Sequence, residues 1–160
     1  VYETPMAGET AQELASRLAL AKAREVQHRH QGALVIGSDQ VASVDGQILG
    51  KPGGFAKARA QLQASSGRAV QFFTGLALVG QGQEQFHVEP FSVHFRVLDD
   101  TQIERYLRRE EPYDCAGSFK CEGLGIALFT RMEGNDPTSL EGLPLIALTS
   151  MLDRAGHPVI

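Results

Sequence analysis

Apolar and polar positions along this chain switch between a helical and an extended period, and each switch marks an element. Leu14, Leu18, Ala21 and Val26 recur at roughly helical spacing. Thr10 precedes them with Glu13 three residues on, the capping-box pattern. A helix is therefore expected over 11–30, ended by Gly32. Residues 33–37 form a short apolar run closing in glycine, which reads as a buried strand. Residues 41–44 continue extended, Asp45-Gly46 signals a hairpin turn, and 47–49 return. A loop over 51–54 leads to a second helix, 56–65, stopped by Ser66-Gly67.

Residues 69–73 and 75–79 read as strands, with a turn at Gly80-Gln81-Gly82. Residues 85–98 read as two more strands around Pro90, and Val93, Phe95 and Val97 alternate with His94 and Arg96 as in a half-buried strand. Helical spacing returns over 100–110, with Ile103, Tyr106 and Leu107 on one face and Pro112 as the breaker beyond. A strand is expected over 126–129, a loop over 134–144, and an apolar helix over 145–154 ended by Gly156. No repeat, low-complexity segment or linker interrupts the series. Interspersed helices and strands predict an α/β class with a mixed sheet.

Composition adds exclusions. The 160 residues are 42% apolar and 21% charged, an ordinary globular balance, and suit one domain. No apolar run approaches the roughly 20 residues of a membrane helix. With 15 basic and 19 acidic side chains the formal charge is −4, which argues against coating nucleic acid but leaves room for a small anion held by a few lysines. The two cysteines, Cys115 and Cys121, have neither zinc-site nor CxxC spacing and read as free thiols of a cytoplasmic protein. The five histidines show no HxH or HExxH pattern, and His28 and His30, two apart, do not share a helix face. Ser38 and Ser118 lie in no GxSxG elbow, so a serine hydrolase is not expected.

Four charged groups are harder to place on an ordinary surface. Asp39 follows the apolar run near the expected C-terminal end of its strand, where an acid binds a metal, activates water, or simply forms a turn. Lys51, in Gly50-Lys51-Pro52, is either a point charge for phosphate on a stiffened loop or a solvated lysine; no P-loop pattern surrounds it. Lys22 sits among Leu18, Ala19, Leu20, Ala21 and Ala23, either half-buried toward a partner or snorkelling. Glu122, before Gly123, lies where a backbone can approach a ligand, or is a loop glutamate.

Set in order, the motifs carry more than they do singly. Glu3-Thr4-Pro5, Leu18-Ala19 with Lys22-Ala23, Ile36-Gly37-Ser38-Asp39-Gln40-Val41, Gly50-Lys51-Pro52 and Thr74-Gly75 are followed by Val93-His94-Phe95-Arg96, Ala116-Gly117-Ser118-Phe119, Glu122-Gly123 and Gly142-Leu143-Pro144. Across essentially the whole chain this series resembles the Maf family of nucleotide pyrophosphatases. Asp39-Gln40 and Lys120-x-Glu122-Gly123 resemble the branch acting on 7-methyl-GTP; the dTTP and UTP branch has Thr after the Asp and Gln in place of Glu122. The resemblance implies a Maf/ITPase-like fold, a mixed twisted sheet flanked by helices with a cleft between two lobes. It also implies hydrolysis of a nucleoside triphosphate to the monophosphate and pyrophosphate, a housecleaning activity on modified nucleotides.

In that reading Asp39 is catalytic, Glu3 and Asp39 hold Mg²⁺ or Mn²⁺, and Lys22, Lys51, Gln40 and Glu122 bind substrate. A homodimer is the implied assembly, with no nucleic-acid or membrane partner. The family opens with a Ser-x-Ser-Pro-x-Arg-Arg phosphate loop that nothing here matches. The expectation is thus a single Maf-like domain over 1–160, beginning after the family's first strand. A pyrophosphatase for dTTP, UTP or a broader set of nucleotides, and a nucleotide-binding regulator without turnover, stay open as alternatives.

Overall fold

A computed structural model describes all 160 residues. Four helices, α1 (Ala11–Arg29), α2 (Phe55–Ser65), α3 (Asp100–Glu110) and α4 (Leu145–Arg154), accompany five strands. The strands are β1 (Val35–Val44), β2 (Gln47–Leu49), β3 (Ala69–Gly80), β4 (Gln83–Phe95) and β5 (Phe129–Gly134), joined in one sheet in the order β2-β1-β3-β4-β5. The α/β class stands, and the strand directions refine it: the sheet is antiparallel at each pairing, where the interspersed elements suggested a mixed one. The β1–β2 and β4–β5 ladders are antiparallel by register. β3 and β4 are joined by Gln81-Gly82, both at positive φ, the tight turn that suits a twisted hairpin. Gly80, ending β3, meets Ala33, just before β1, while Arg68, just before β3, pairs with Asp45, just past β1. No helix is long and apolar enough to cross a membrane.

Several boundaries differ from the sequence expectation, each for a physical reason. The two short runs over 33–44 are one strand, because nothing between Gly37 and Val41 turns the chain, and Ile36 within it is 45% exposed rather than buried. Likewise 69–80 is continuous through Thr74-Gly75, and β4 runs through Pro90. β5 pairs with β4 only from Phe91 to Phe95, so Pro90 falls beyond that ladder and its missing N–H breaks none of its bonds. Val97 lies past the end of β4 and is 85% exposed. The strand expected over 126–129 is instead a 3-10 segment, Leu124–Leu128, with β5 beginning at Phe129. The expected loop over 134–144 contains a second 3-10 turn, Pro137–Glu141.

The chain divides into two compact units, Val1–Gln40 with Phe73–Pro90 and Asp136–Ile160, and Val41–Phe72 with Phe91–Asn135. In the first, β3 is covered on both faces: Ala77 and Val79 pack with Ala19 and Ala23 of α1, while Leu76 and Leu78 pack with Leu148 and Met151 of α4. This explains its unbroken apolar run, since a strand buried on both faces needs no alternation. Small residues let α1 come close. A Cβ on Gly75 would run into the Ala15 carbonyl oxygen, and one on Gly37 into that of Ala19. In the second unit Phe72, Phe95, Phe119 and Phe129 pack with ring centroids 5.0–5.4 Å apart, mostly edge-on.

Candidate active site

The close approach of α1 to β1 places the first group of candidates. Gly37 and Asp39 lie two apart on β1 and so face the same way. Gly37 lets Ala19 and Ala23 sit on the strand backbone, and Lys22, beside Ala23, then reaches Asp39 Oδ1 with its Nζ at 2.7 Å. The same Nζ lies 2.9 Å from Glu3 Oε1. Lys22 is therefore aimed at partners rather than snorkelling. Its burial disfavours the charge, but the hydrogen bonds to Asp39 and Glu3 outweigh that, and its pKa is raised. Asp39 lies mid-strand rather than at a strand end, which removes the turn-forming reading; its side chain is only 16% exposed.

Glu3 is positioned by a residue that the sequence reading passes over. Arg17 of α1 donates from Nη1 to Tyr2 O at 2.8 Å and from Nη2 to Thr4 O at 3.2 Å, gripping the chain on both sides of Glu3. Its Nε is fixed in turn by Glu9 Oε2 at 2.7 Å. A guanidinium spreading several donors over one segment is the only trace such a clamp leaves, and it has no spacing rule.

Gln40, next along β1, faces the opposite way. Its Nε2 donates to Ser139 O at 2.8 Å and to Thr74 Oγ1 at 3.2 Å, and Thr74 Oγ1 donates to the same carbonyl at 3.1 Å. The structure thus brings Glu3, Lys22 and Asp39 together and sends Gln40 to the other face, toward the Pro137–Glu141 turn.

Lys51 and Glu122 belong to the second unit, both exposed and neither in an ion pair. The Lys51 loop is held from below by Gln61 of α2, a buried glutamine. Its Nε2 donates to Gly50 O at 2.9 Å, and its Oε1 accepts from Ser118 Oγ. Ser118 is fully buried at φ 68°, a left-handed conformation uncommon for a residue with a Cβ. Such a position costs roughly 1–3 kcal/mol and persists where its surroundings over-determine it. The hydroxyl is spent on Gln61, so Ser118 is no nucleophile. Gln61→Ala is expected to destabilise the protein by about 1–3 kcal/mol, because it leaves the buried Ser118 hydroxyl without its partner. Urea denaturation checks this, and an unchanged midpoint would show that the Gln61 bond does not hold this loop.

The turn carrying Glu122 is built on α3. Tyr106 Oη accepts the Lys120 N–H at 3.0 Å, and Glu110 Oε1 accepts the Leu124 N–H at 2.8 Å. Burial, with nearby acidic groups, pushes the Tyr106 pKa up, so it remains a neutral phenol. Gly125 is required here, since a Cβ would collide with the Lys120 backbone carbonyl, whereas one on Gly123 would meet only the movable end of the Glu110 side chain. Cys115 and Cys121 are not joined in a disulfide, as expected. Burial and the neighbouring Asp114 push the Cys115 thiol up to about 11, which leaves little reactive thiolate at neutral pH.

Glu3 and Asp39 each place a carboxylate oxygen within 3 Å of one ammonium, so two hard donors already surround a cation position. No group of three or more His, Cys, Asp or Glu side chains is placed to hold an ion. Two carboxylate donors fit Mg²⁺, which completes its shell with waters rather than an all-protein cage, once the Lys22 ammonium now bonded to both shifts aside.

The geometry gives a carboxylate–ammonium cluster on α1 and β1 in the first unit and an exposed loop lysine in the second. The comparisons with known proteins are more specific. The family described as Maf-like protein matches residues 1–155. A Nitrosococcus oceani protein named 7-methyl-GTP pyrophosphatase is 54% identical over 162 aligned positions, covering 100% of this chain and 81% of that protein. Proteins of the same name from Pseudomonas savastanoi and Bordetella avium are 55% and 57% identical, with 99% and 98% of this chain and 84% and 79% of theirs covered. The chain belongs to the Maf-like family.

Proposed function

We propose that this chain hydrolyses 7-methyl-GTP to 7-methyl-GMP and pyrophosphate. The observation that carries the reading is the 54–57% identity to relatives bearing that name, over 98–100% of this chain. The paired Glu3 and Asp39 carboxylates on Lys22 agree with it chemically. In the reaction a water oxygen bonds to the α-phosphorus while the bond to the α–β bridging oxygen breaks. The water's proton passes to a base, and pyrophosphate leaves. Asp39 is the group for that proton, and Lys22, held charged by its two partners, orients the carboxylate. Glu3 and Asp39 are the residues that would hold a divalent cation, whose chemistry when bound is neutralisation of charge on the phosphates. Lys51 adds a point charge for the phosphate chain.

Glu122 reads the base. Guanine offers N1–H and N2–H₂ donors side by side, and a carboxylate accepts both, whereas a glutamine has a single acceptor oxygen. Methylation at N7 makes the ring cationic and adds attraction to the acid. The test is a pyrophosphate-release panel with 7-methyl-GTP, GTP, dTTP and UTP in the presence of Mg²⁺. Fastest release from 7-methyl-GTP is expected, with Glu122→Gln lowering its preference over UTP by about tenfold, the scale of one charge-assisted hydrogen bond. An unchanged ratio would remove Glu122 from base selection. Binding of 7-methyl-GTP without release would instead mark a nucleotide-binding protein.

A further inference from the structure

We propose a second ligand site in the Val41–Phe72 and Phe91–Asn135 unit, an arginine-lined pocket for a small aromatic anion. The pocket has a volume of about 200 Å³ and is lined by Arg96, Arg105 and Arg109, with Tyr106, Leu124 and Leu128 among its walls. Arg105 and Arg109 are four residues apart on α3 and therefore share a face, and Arg96 comes to them from beyond the end of β4. None of the three takes part in an ion pair, although the chain carries a net excess of acids and Arg17, Arg24 and Arg59 on α1 and α2 each find a carboxylate. Arg96 spends only Nε, on Ala127 O at 2.9 Å.

Like charges one helical turn apart repel, so this face of α3 is arranged at a cost that an anion would relieve. The acids adjacent in sequence are engaged elsewhere: Glu104 pairs with Arg59, Glu110 accepts the Leu124 N–H, and neither lines the pocket. Buried Tyr106 and Leu128, with Leu124 at 38% exposure, line the same pocket. Guanidinium forks beside apolar walls suit a phosphate or carboxylate attached to a flat ring. The volume is below that of drug-sized sites and admits one ring with its anionic group. The residues are distinct from Glu3, Lys22, Asp39, Lys51 and Glu122, so the proposal stands apart from the reading of the catalytic reaction.

Isothermal titration of the full chain with phenyl phosphate tests it, with inorganic phosphate and benzyl alcohol as half-ligands. Saturable 1:1 binding is expected, tighter than for either half-ligand. Arg105→Gln/Arg109→Gln should weaken it by at least about tenfold, the loss of charge-assisted hydrogen bonds from two guanidiniums. Both arginines are exposed, so the fold should survive; Leu124→Glu, which places a carboxylate in the pocket lining, is a second variant expected to lose binding. Lys51→Ala should leave the affinity unchanged. Absence of saturable binding, an affinity that survives the arginine substitutions, or one lost with Lys51→Ala would each overturn the proposal, the last by placing phenyl phosphate at the lysine loop.

Discussion

Asp39→Asn lowers pyrophosphate release from 7-methyl-GTP by roughly 10²–10⁴-fold, the range of a lost general base. The substitution isolates chemistry from folding because the amide keeps the shape. Its oxygen still accepts from Lys22 Nζ where Oδ1 does now, at 2.7 Å, and Lys22 retains Glu3 at 2.9 Å. What disappears is the negative charge, and with it the proposed proton acceptor and one of the two proposed cation donors. The thermal midpoint should move little while kcat collapses. Raising Mg²⁺ separates the two roles of the carboxylate: partial recovery at high Mg²⁺ assigns the loss to cation binding, and no recovery assigns it to proton transfer. Retention of most activity would remove Asp39 from both.

How much of this was legible in the sequence follows from what kind of interaction each feature rests on. Local devices read well. Thr10 caps α1 by accepting the Glu13 N–H at 3.1 Å, and α3 runs over its expected residues between Asp99, with Gln102 completing the capping box, and Pro112. The Asp45-Gly46 hairpin needed only its turn residues. Lys22 and Asp39 were legible as motif residues, but their contact depends on Gly37 admitting α1, a fact of packing across 17 positions. Non-periodic contacts were not legible at all. Gln61 reaches Ser118 across 57 positions and Gln40 reaches Ser139 across 99, and no spacing in the chain announces either. The run from Ile126 to Phe129 shows the opposite failure. Its apolar content reads as strand, yet a short apolar run is equally at home in a 3-10 turn packed against a helix.

Among those non-periodic contacts, Asp136 carries the largest structural consequence. Asp136→Ala is expected to destabilise the protein by about 3 kcal/mol, because it strands three part-buried donors at once. The residue is 1% exposed. Oδ1 accepts from Thr138 N at 2.8 Å and Thr138 Oγ1 at 2.6 Å, and Oδ2 accepts from Ile146 N at 2.9 Å. Ile146 is in the first turn of α4, whose N-cap, Pro144, has no side-chain cap of its own. Asp136 and Thr138, which also accepts the Leu145 N–H at 3.1 Å, therefore cap α4 from a separate turn, and a carboxylate there is favoured by the helix dipole. α4 supplies Leu148 and Met151 to the core against β3, and the same turn presents Ser139 O to Gln40, the neighbour of Asp39. Burial raises the Asp136 pKa, but the hydrogen bonds from Thr138 and Ile146 lower it further, and the net shift is downward. The ionised form is thus bound more tightly in the folded state than in the unfolded one. Its stabilisation is complete above the unfolded value near 4 and is lost as pH falls through the lower folded value. Asp136→Asn, which turns an amide N–H₂ toward a donor whichever way it is placed, should lower the urea midpoint clearly at pH 7 and progressively less below about pH 4. A deficit that stays constant from pH 7 to pH 3 would show that the charge is not what holds α4 in place.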